Sequence, residues 1–223
     1  MTNSVATPVT GPLGLLGGTF DPIHHGHLRL AEEMATALNL AEVRIMPAGV
    51  PPHRAAPLAE ATQHRAMVQL AIGANLRFSL DASELERPGP GYMVDTLKTM
   101  RDRLGDSRAI VLILGADAFS GLTTWRHWPR LFELCHFAIA LRPGYADWER
   151  NLPDDLAGMY RERYSDDAQV LTESLSGRIV QRAITQLDIS ATRIRTDISA
   201  GRSPRYLLPD AVLDYIDQQR LYL

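Results

Sequence analysis

The segment that most restricts this chain is Gly17-Gly18-Thr19-Phe20-Asp21-Pro22-Ile23-His24-His25-Gly26-His27. An apolar run, Leu13-Gly14-Leu15-Leu16, precedes it, and Ala31, Met34, Ala35 and Leu38 recur at helical spacing after it. A buried strand therefore runs into a glycine loop, and the loop runs into a helix. Gly17 and Gly18 allow backbone to approach a ligand closely, and Gly26 does the same where the helix begins. Amides at that helix end, with the positive end of the helix dipole, form an anion site. His24 and His27 stand three apart, so one turn brings both rings to one side.

Two imidazoles beside a phosphate can donate to its oxygens and stabilise charge as phosphorus becomes five-coordinate. Such a site works by positioning and electrostatics, with no covalent intermediate. Three other readings compete: a simple glycine turn, a metal site built on the histidines, or a dinucleotide loop. Metal binding on a helix favours spacing of four, and no Cys or Glu lies close by. The Gly-x-Gly-x-x-Gly pattern is absent.

The rest of the chain alternates short apolar runs with helical patterns. Val43–Met46, closed by Pro47, reads as a strand, as do the weaker Arg77–Leu80, then Ala109–Leu114, Phe137–Leu141 and Arg178–Val180. Between them, Met67, Leu70, Ala71 and Ala74 mark one helix, with Thr62 as its expected cap, and Val94, Leu97 and Leu104 mark another, interrupted by Arg101. Pro88-Gly89-Pro90-Gly91 breaks the chain. Ser190 can cap a helix running to Ala200, and a last helix from Pro209 buries Val212, Leu213 and Ile216. Unbroken apolar strands alternating with helices imply an α/β fold: a doubly wound, Rossmann-like parallel sheet with helices on both faces and a small helical part at the end. Ligands in such sheets lie beyond the carboxyl ends of the strands. Residues 1–12 read as a flexible tail and 13–223 as a single domain, with an acidic helical excursion from Tyr145 to Asp167.

Composition narrows the function classes. The chain is 45% hydrophobic and 22% charged, enough to bury a core. A net charge of −3 gives no global pull toward nucleic acid or an anionic membrane, so an anionic ligand must be held by local groups. Neither a signal peptide nor a membrane span is evident, and a cytoplasmic location is expected. The single cysteine, Cys135, lies in an apolar run and reads as a small buried hydrophobe.

A second motif, Ile189-Ser190-Ala191-Thr192-Arg193-Ile194-Arg195, falls at a predicted helix start. Ser190 and Thr192 offer hydroxyls, and Arg195 offers a fork of donors. By itself this reads first as a capped surface helix with solvated arginines. Together the two motifs resemble those of the HxGH nucleotidyltransferases, the second matching their ISxTxxR pattern in adenylyltransferases. The resemblance implies that His24, His27 and Arg195 are catalytic. It places ATP against Gly17, Gly18, Thr19, Phe20, Gly26, Gly115, Asp117, Ile189, Ser190 and Thr192. Mg²⁺ is implied as the counter-ion of ATP, with no dedicated protein ligands.

Further segments are similar to bacterial nicotinate mononucleotide adenylyltransferases: Pro47–Arg54, Gly91–Leu97, Gly115-Ala116-Asp117, Thr124-Trp125, Leu141–Tyr145, and Leu207 through Tyr222. The resemblance covers the chain from Leu13 on, apart from residues 146–170. It implies an acceptor, nicotinate mononucleotide, held by His53, Arg54, Tyr92, Met93, Thr96, Trp125 and Arg142. Trp125 can stack on a pyridine ring, Asp117 can accept from ribose hydroxyls, and His53, Arg54 and Arg142 can reach a phosphate. Met93 stands where that family has Ser or Thr, which bears on acid against amide preference. Other acceptors, such as nicotinamide mononucleotide or phosphopantetheine, and a non-catalytic nucleotide sensor are the alternatives, and a monomer and a homodimer are both compatible with the sequence.

Overall fold

A computed structural model describes residues 11–49, 57–142 and 147–223. The strands β1 (Leu13–Gly18), β2 (Glu42–Pro47), β3 (Phe78–Leu80), β4 (Ile110–Gly115), β5 (His136–Leu141) and β6 (Ile179–Ala183) form one sheet in the order β3-β2-β1-β4-β5-β6. Every pairing is parallel, with Leu13 opposite Glu42 on one side and Ile110 on the other. The apolar runs explain this arrangement, because a strand covered on both faces has no reason to alternate polar and apolar residues.

Helices α1 (His25–Ala37), α2 (Ala61–Ile72), α3 (Ser83–Glu86), α4 (Met93–Leu104), α5 (Ala116–Ser120), α6 (Leu131–Leu134), α7 (Asp154–Arg163), α8 (Val170–Glu173), α9 (Ala191–Ser199) and α10 (Asp210–Gln219) connect or cover the strands. One core packs α1, α2, α9 and α10 against the sheet through Ala31, Met34, Met67, Ile194, Val212 and Ile216. The other packs α4, α6 and α7 against the opposite face through Leu97, Phe119, Phe132, Phe137 and Leu156. The expected doubly wound α/β sheet is therefore present. No helix among the described residues is long and apolar enough to cross a membrane.

Several local expectations change. Thr62 lies inside α2; Glu60 is the N-cap, and Gln63 Oε1 accepts from the Glu60 amide at 2.7 Å. Leu70 is 39% exposed, so the buried stripe of α2 runs through Met67, Val68 and Ile72 instead. Gly11 and Pro12, expected in the tail, are instead bonded to the domain. Pro12 is buried, its carbonyl accepts from Ala41 N–H at 3.0 Å, and Gly11 O accepts from Arg108 Nε at 2.9 Å. Residues 1–10 lie outside the described residues.

Arg101 interrupts its apolar stripe for a reason. Its guanidinium donates to the carbonyls of Gly105, Arg108, Leu134 and Leu175 at 2.8–3.1 Å, tying the end of α4 to two distant turns. The acidic segment contributes to the core, since Trp148, Leu152, Leu156 and Tyr160 are buried there. Cys135 is fully buried, its thiol donates to Leu131 O at 3.4 Å, and burial raises its pKa, so it is inert.

Candidate active site

The sheet order reverses its direction of winding at β1, whose neighbours β2 and β4 lead away to opposite edges. A crevice opens where two such strands end side by side. The glycine–histidine loop follows β1, and Gly115-Ala116-Asp117 follows β4. Asp117 is exposed in the first turn of α5, and a Cβ built on Gly115 would meet nothing within 4 Å.

The loop turns back sharply on itself. Phe20 has a φ of 49°, and a Cβ on Gly18 would fall 2.8 Å from Phe20 Cε1, so a side chain there would push that ring from its place. Phe20 is buried and meets the His27 ring edge-on, centroids 4.9 Å apart. Its side chain therefore supports His27. His24 is extended (φ −146°, ψ 171°), and α1 starts at the next residue. The His24 and His27 rings stack at 3.7 Å with 21° between their planes. The expected one-sided pair is present.

The His24 ring is buried, and His27 is half-buried beside it. Burial, then the nearby His25, lowers the His24 pKa to about 4. Burial, then His24, lowers that of His27 to about 3. Both are neutral near pH 7. His24 N–H donates to His27 Nδ1 at 3.3 Å, which assigns the proton of a neutral His27 to Nε2. Nε2–H is then the ring's remaining donor. The amide of His25 donates to Leu207 O at 3.0 Å. The His27 amide donates to His24 O at 3.0 Å, so three amides at this helix end are already engaged.

The second motif is docked on the first. Ile189 lies against the start of α1, its Cβ 3.8 Å from a Cβ built on Gly26. Ser190 caps α9, its Oγ accepting from Arg193 N–H at 3.2 Å. Arg195 Nη1 donates to the main-chain carbonyl of Asp21 at 2.6 Å, and Nη2 donates to Thr192 Oγ1 at 3.4 Å. Arg195 therefore joins the histidine loop across 174 residues of sequence.

The remaining predicted residues divide. Met93 is the first residue of α4, and its Cε would sit 3.5 Å from a Cβ on Gly17, so it lies beside the loop. Tyr92 caps that helix and carries the Arg126 guanidinium 4.7 Å above its ring. Trp125 is half-buried at the end of a short 3₁₀ turn. Trp128 turns to Phe132, 6.3 Å away, and joins the core. Arg142 is exposed just past β5. His53 and Arg54 lie outside the described residues.

Thr96 departs from expectation. It is 1% exposed, donates to Glu84 Oε1 at 2.7 Å and accepts from Arg87 Nη2 at 2.8 Å, which leaves its hydroxyl no route to a ligand. Glu84, unremarked in the sequence, also accepts from Gly49 N–H at 3.4 Å. It links the loop after β2 to the first turn of α4. Arg126 was legible only as a cation next to a candidate Trp. Asp21 and Tyr222, which bond to each other at 2.6 Å, carry no pattern of their own beyond membership of recognisable segments. Among the described residues, no group of three or more His, Cys, Asp or Glu is placed to hold a metal ion.

Residues 15–197 match the cytidylyltransferase-like family model. A Dechloromonas aromatica protein named "Probable nicotinate-nucleotide adenylyltransferase" is 51% identical over 95% of this chain and 97% of its own length. A protein of the same name from Acidithiobacillus ferrooxidans is 42% identical over 94% and 95%. Among solved structures, Plasmodium falciparum nicotinic acid mononucleotide adenylyltransferase complexed with NaAD superposes with a TM-score of 0.71 at 16% identity, covering 96% of this chain and 98% of that one.

Proposed function

Since this chain belongs to the cytidylyltransferase-like family and, within it, to the nicotinate-nucleotide adenylyltransferases, we propose that it transfers the adenylyl group of ATP to nicotinate mononucleotide, giving deamido-NAD and pyrophosphate. The observation that carries this reading is the stacked, neutral His24–His27 pair with Arg195 docked on the same loop. An oxygen of the acceptor phosphate attacks the α-phosphorus. The bond from that phosphorus to the bridging oxygen breaks, and its electrons leave with pyrophosphate. The imidazole N–H donors and the Arg195 guanidinium offset charge that grows on phosphoryl oxygens in the transition state. No side chain needs to form a bond to phosphorus.

ATP enters with Mg²⁺. Phosphate oxygens and water would supply most of the ion's ligands, and its charge would offset that of the polyphosphate. Gly17, Gly18 and Thr19 line the phosphates, Gly115 and Asp117 face the ribose, and Ser190 and Thr192 shape the far wall. On the acceptor side, Trp125 stacks on the pyridine, the amide of Met93 at the start of α4 meets the nicotinate carboxylate, and Arg142 reaches the phosphate. His53 and Arg54 complete the phosphate contacts in this reading. Thr96 acts indirectly, by holding Glu84.

A second acceptor, nicotinamide mononucleotide, is favoured by Met93, which supplies no hydroxyl to the carboxylate. Pyrophosphate release from ATP with each mononucleotide and with phosphopantetheine decides between them. Nicotinate mononucleotide should give the highest kcat/KM. His24→Ala should lower kcat at least a hundredfold while changing acceptor KM little; an unimpaired His24→Ala enzyme would sink the mechanism.

A further inference from the structure

The histidine loop is gripped from beneath by one buried side chain. Asp21 is 4% exposed, yet its carboxylate has four neighbours from three other parts of the chain. Oδ2 accepts from Leu58 N–H at 2.9 Å, and Oδ1 accepts from Ala59 N–H at 3.3 Å and from the Tyr222 hydroxyl at 2.6 Å. His64 Nε2 from α2 stands 3.3 Å from Oδ1. Burial alone would raise the Asp21 pKa, but the contacts from His64, Tyr222 and Leu58 outweigh it and bring it to about 2. The carboxylate is therefore ionised, and its orientation is fixed from several sides.

The same residue holds Arg195 through its main chain. Arg195 Nη1 donates to Asp21 O at 2.6 Å and lies 3.9 Å from Asp21 Oδ2. The position of that carbonyl depends on where the side chain is anchored. Tyr222 is the strongest adjustable anchor, because its bond is short and made by a single hydroxyl. Its ring is seated over α2, with the hydroxyl 3.9 Å from Met67 Sδ.

We propose that Tyr222 is a positioning residue for the transferase reaction: through the Asp21 carboxylate it sets the Asp21 carbonyl, and so the Arg195 guanidinium. The segment beyond α10 thereby controls turnover without touching either substrate. This rests on the adenylyltransferase reading above, because it assigns Arg195 to the transition state.

The test is Tyr222→Phe in the full-length enzyme, which removes one oxygen and leaves the ring. Displacing a preorganised donor by a fraction of an ångström lowers kcat, here by about tenfold, while KM for ATP and for the mononucleotide stays within about twofold. A double-mutant cycle with Arg195→Ala reads the coupling: Tyr222→Phe should cost at most about twofold once Arg195 is gone. Ile216→Val, a buried α10 change away from this network, should lower Tm and keep kcat. Unchanged kcat in Tyr222→Phe, a rise in KM alone, or full additivity with Arg195→Ala would each overturn the proposal. Should Tyr222→Phe not fold, His64→Gln, on the same carboxylate, is read by the same cycle and the same outcomes. Wild-type enzyme that releases no pyrophosphate would instead refute the transferase reading itself, so the two failures are distinct.

Discussion

Gly26→Ala separates stability from activity at one atom. Gly26 is the second residue of α1, and alanine there would ordinarily raise helix stability by up to about 1 kcal/mol. The new Cβ would lie 3.0 Å from His24 Nδ1 and 3.1 Å from His24 Cε1, with Ile189 Cβ at an ordinary 3.8 Å. The ring must therefore retreat by a few tenths of an ångström. It cannot do so alone, because His27 is stacked on it at 3.7 Å and Phe20 sits against His27. The cost of that shift and the gain in helix propensity nearly cancel, so Tm should move by no more than about 3 °C. Turnover has no such compensation. Complete loss of a comparable preorganised donor costs about 10²–10³ in kcat, and a partial shift should cost roughly tenfold. Stopped-time pyrophosphate release, with Tm measured on the same preparation, gives both numbers. A Gly26→Ala enzyme with wild-type kcat would show that the packing of His24 against Gly26 does not matter to the chemistry. One that is badly unfolded would show that the ring cannot yield at all.

Two other consequences are measurable. The folded-state pKa of His24, about 4 against 6.5, means its contribution to stability is present above 6.5 and is lost as pH falls toward 4. At pH 5 that loss from His24 is about 2 kcal/mol, so urea unfolding of His24→Gln should fall by that much less than wild type between pH 7.5 and 5; equal losses would contradict the assignment. Asp21 stays ionised throughout this window and adds nothing to it. Arg101→Met keeps the apolar stem but strips four carbonyls of their donor, and should cost about 3 kcal/mol with kcat intact at low temperature; a loss under about 1 kcal/mol would mean water replaces the guanidinium freely.

Periodicity made the strands and the helices legible because each is a local pattern of burial. It located β1, β4 and the crevice between them, and it put His24 beside His27. It misplaced the cap of α2, where Glu60 and Gln63 satisfy each other in a way that a search for Ser or Thr passes over. The family resemblance made Thr96 a ligand contact, because its place in a motif shows nothing of Glu84 and Arg87 closing around it. It passed over Trp148 and Tyr160, which are scattered among acidic residues yet converge on Phe119. Asp21 was visible only as a letter in a loop. Its partners at Leu58 and Tyr222 lie 37 and 201 residues away, and no local pattern records a bond of that span.

That longest bond also orders events at the ribosome. The histidine loop is made within the first few dozen residues, and β1 and α1 have their local contacts soon after. The Asp21 carboxylate, however, lacks its closest hydroxyl until residue 222 has been synthesised and α10 has packed. Chains grow and fold from the amino end, and contacts between distant residues form last. Until Tyr222 is made, the chain holds the other groups of the site, but the Asp21 carboxylate waits for its closest hydroxyl partner.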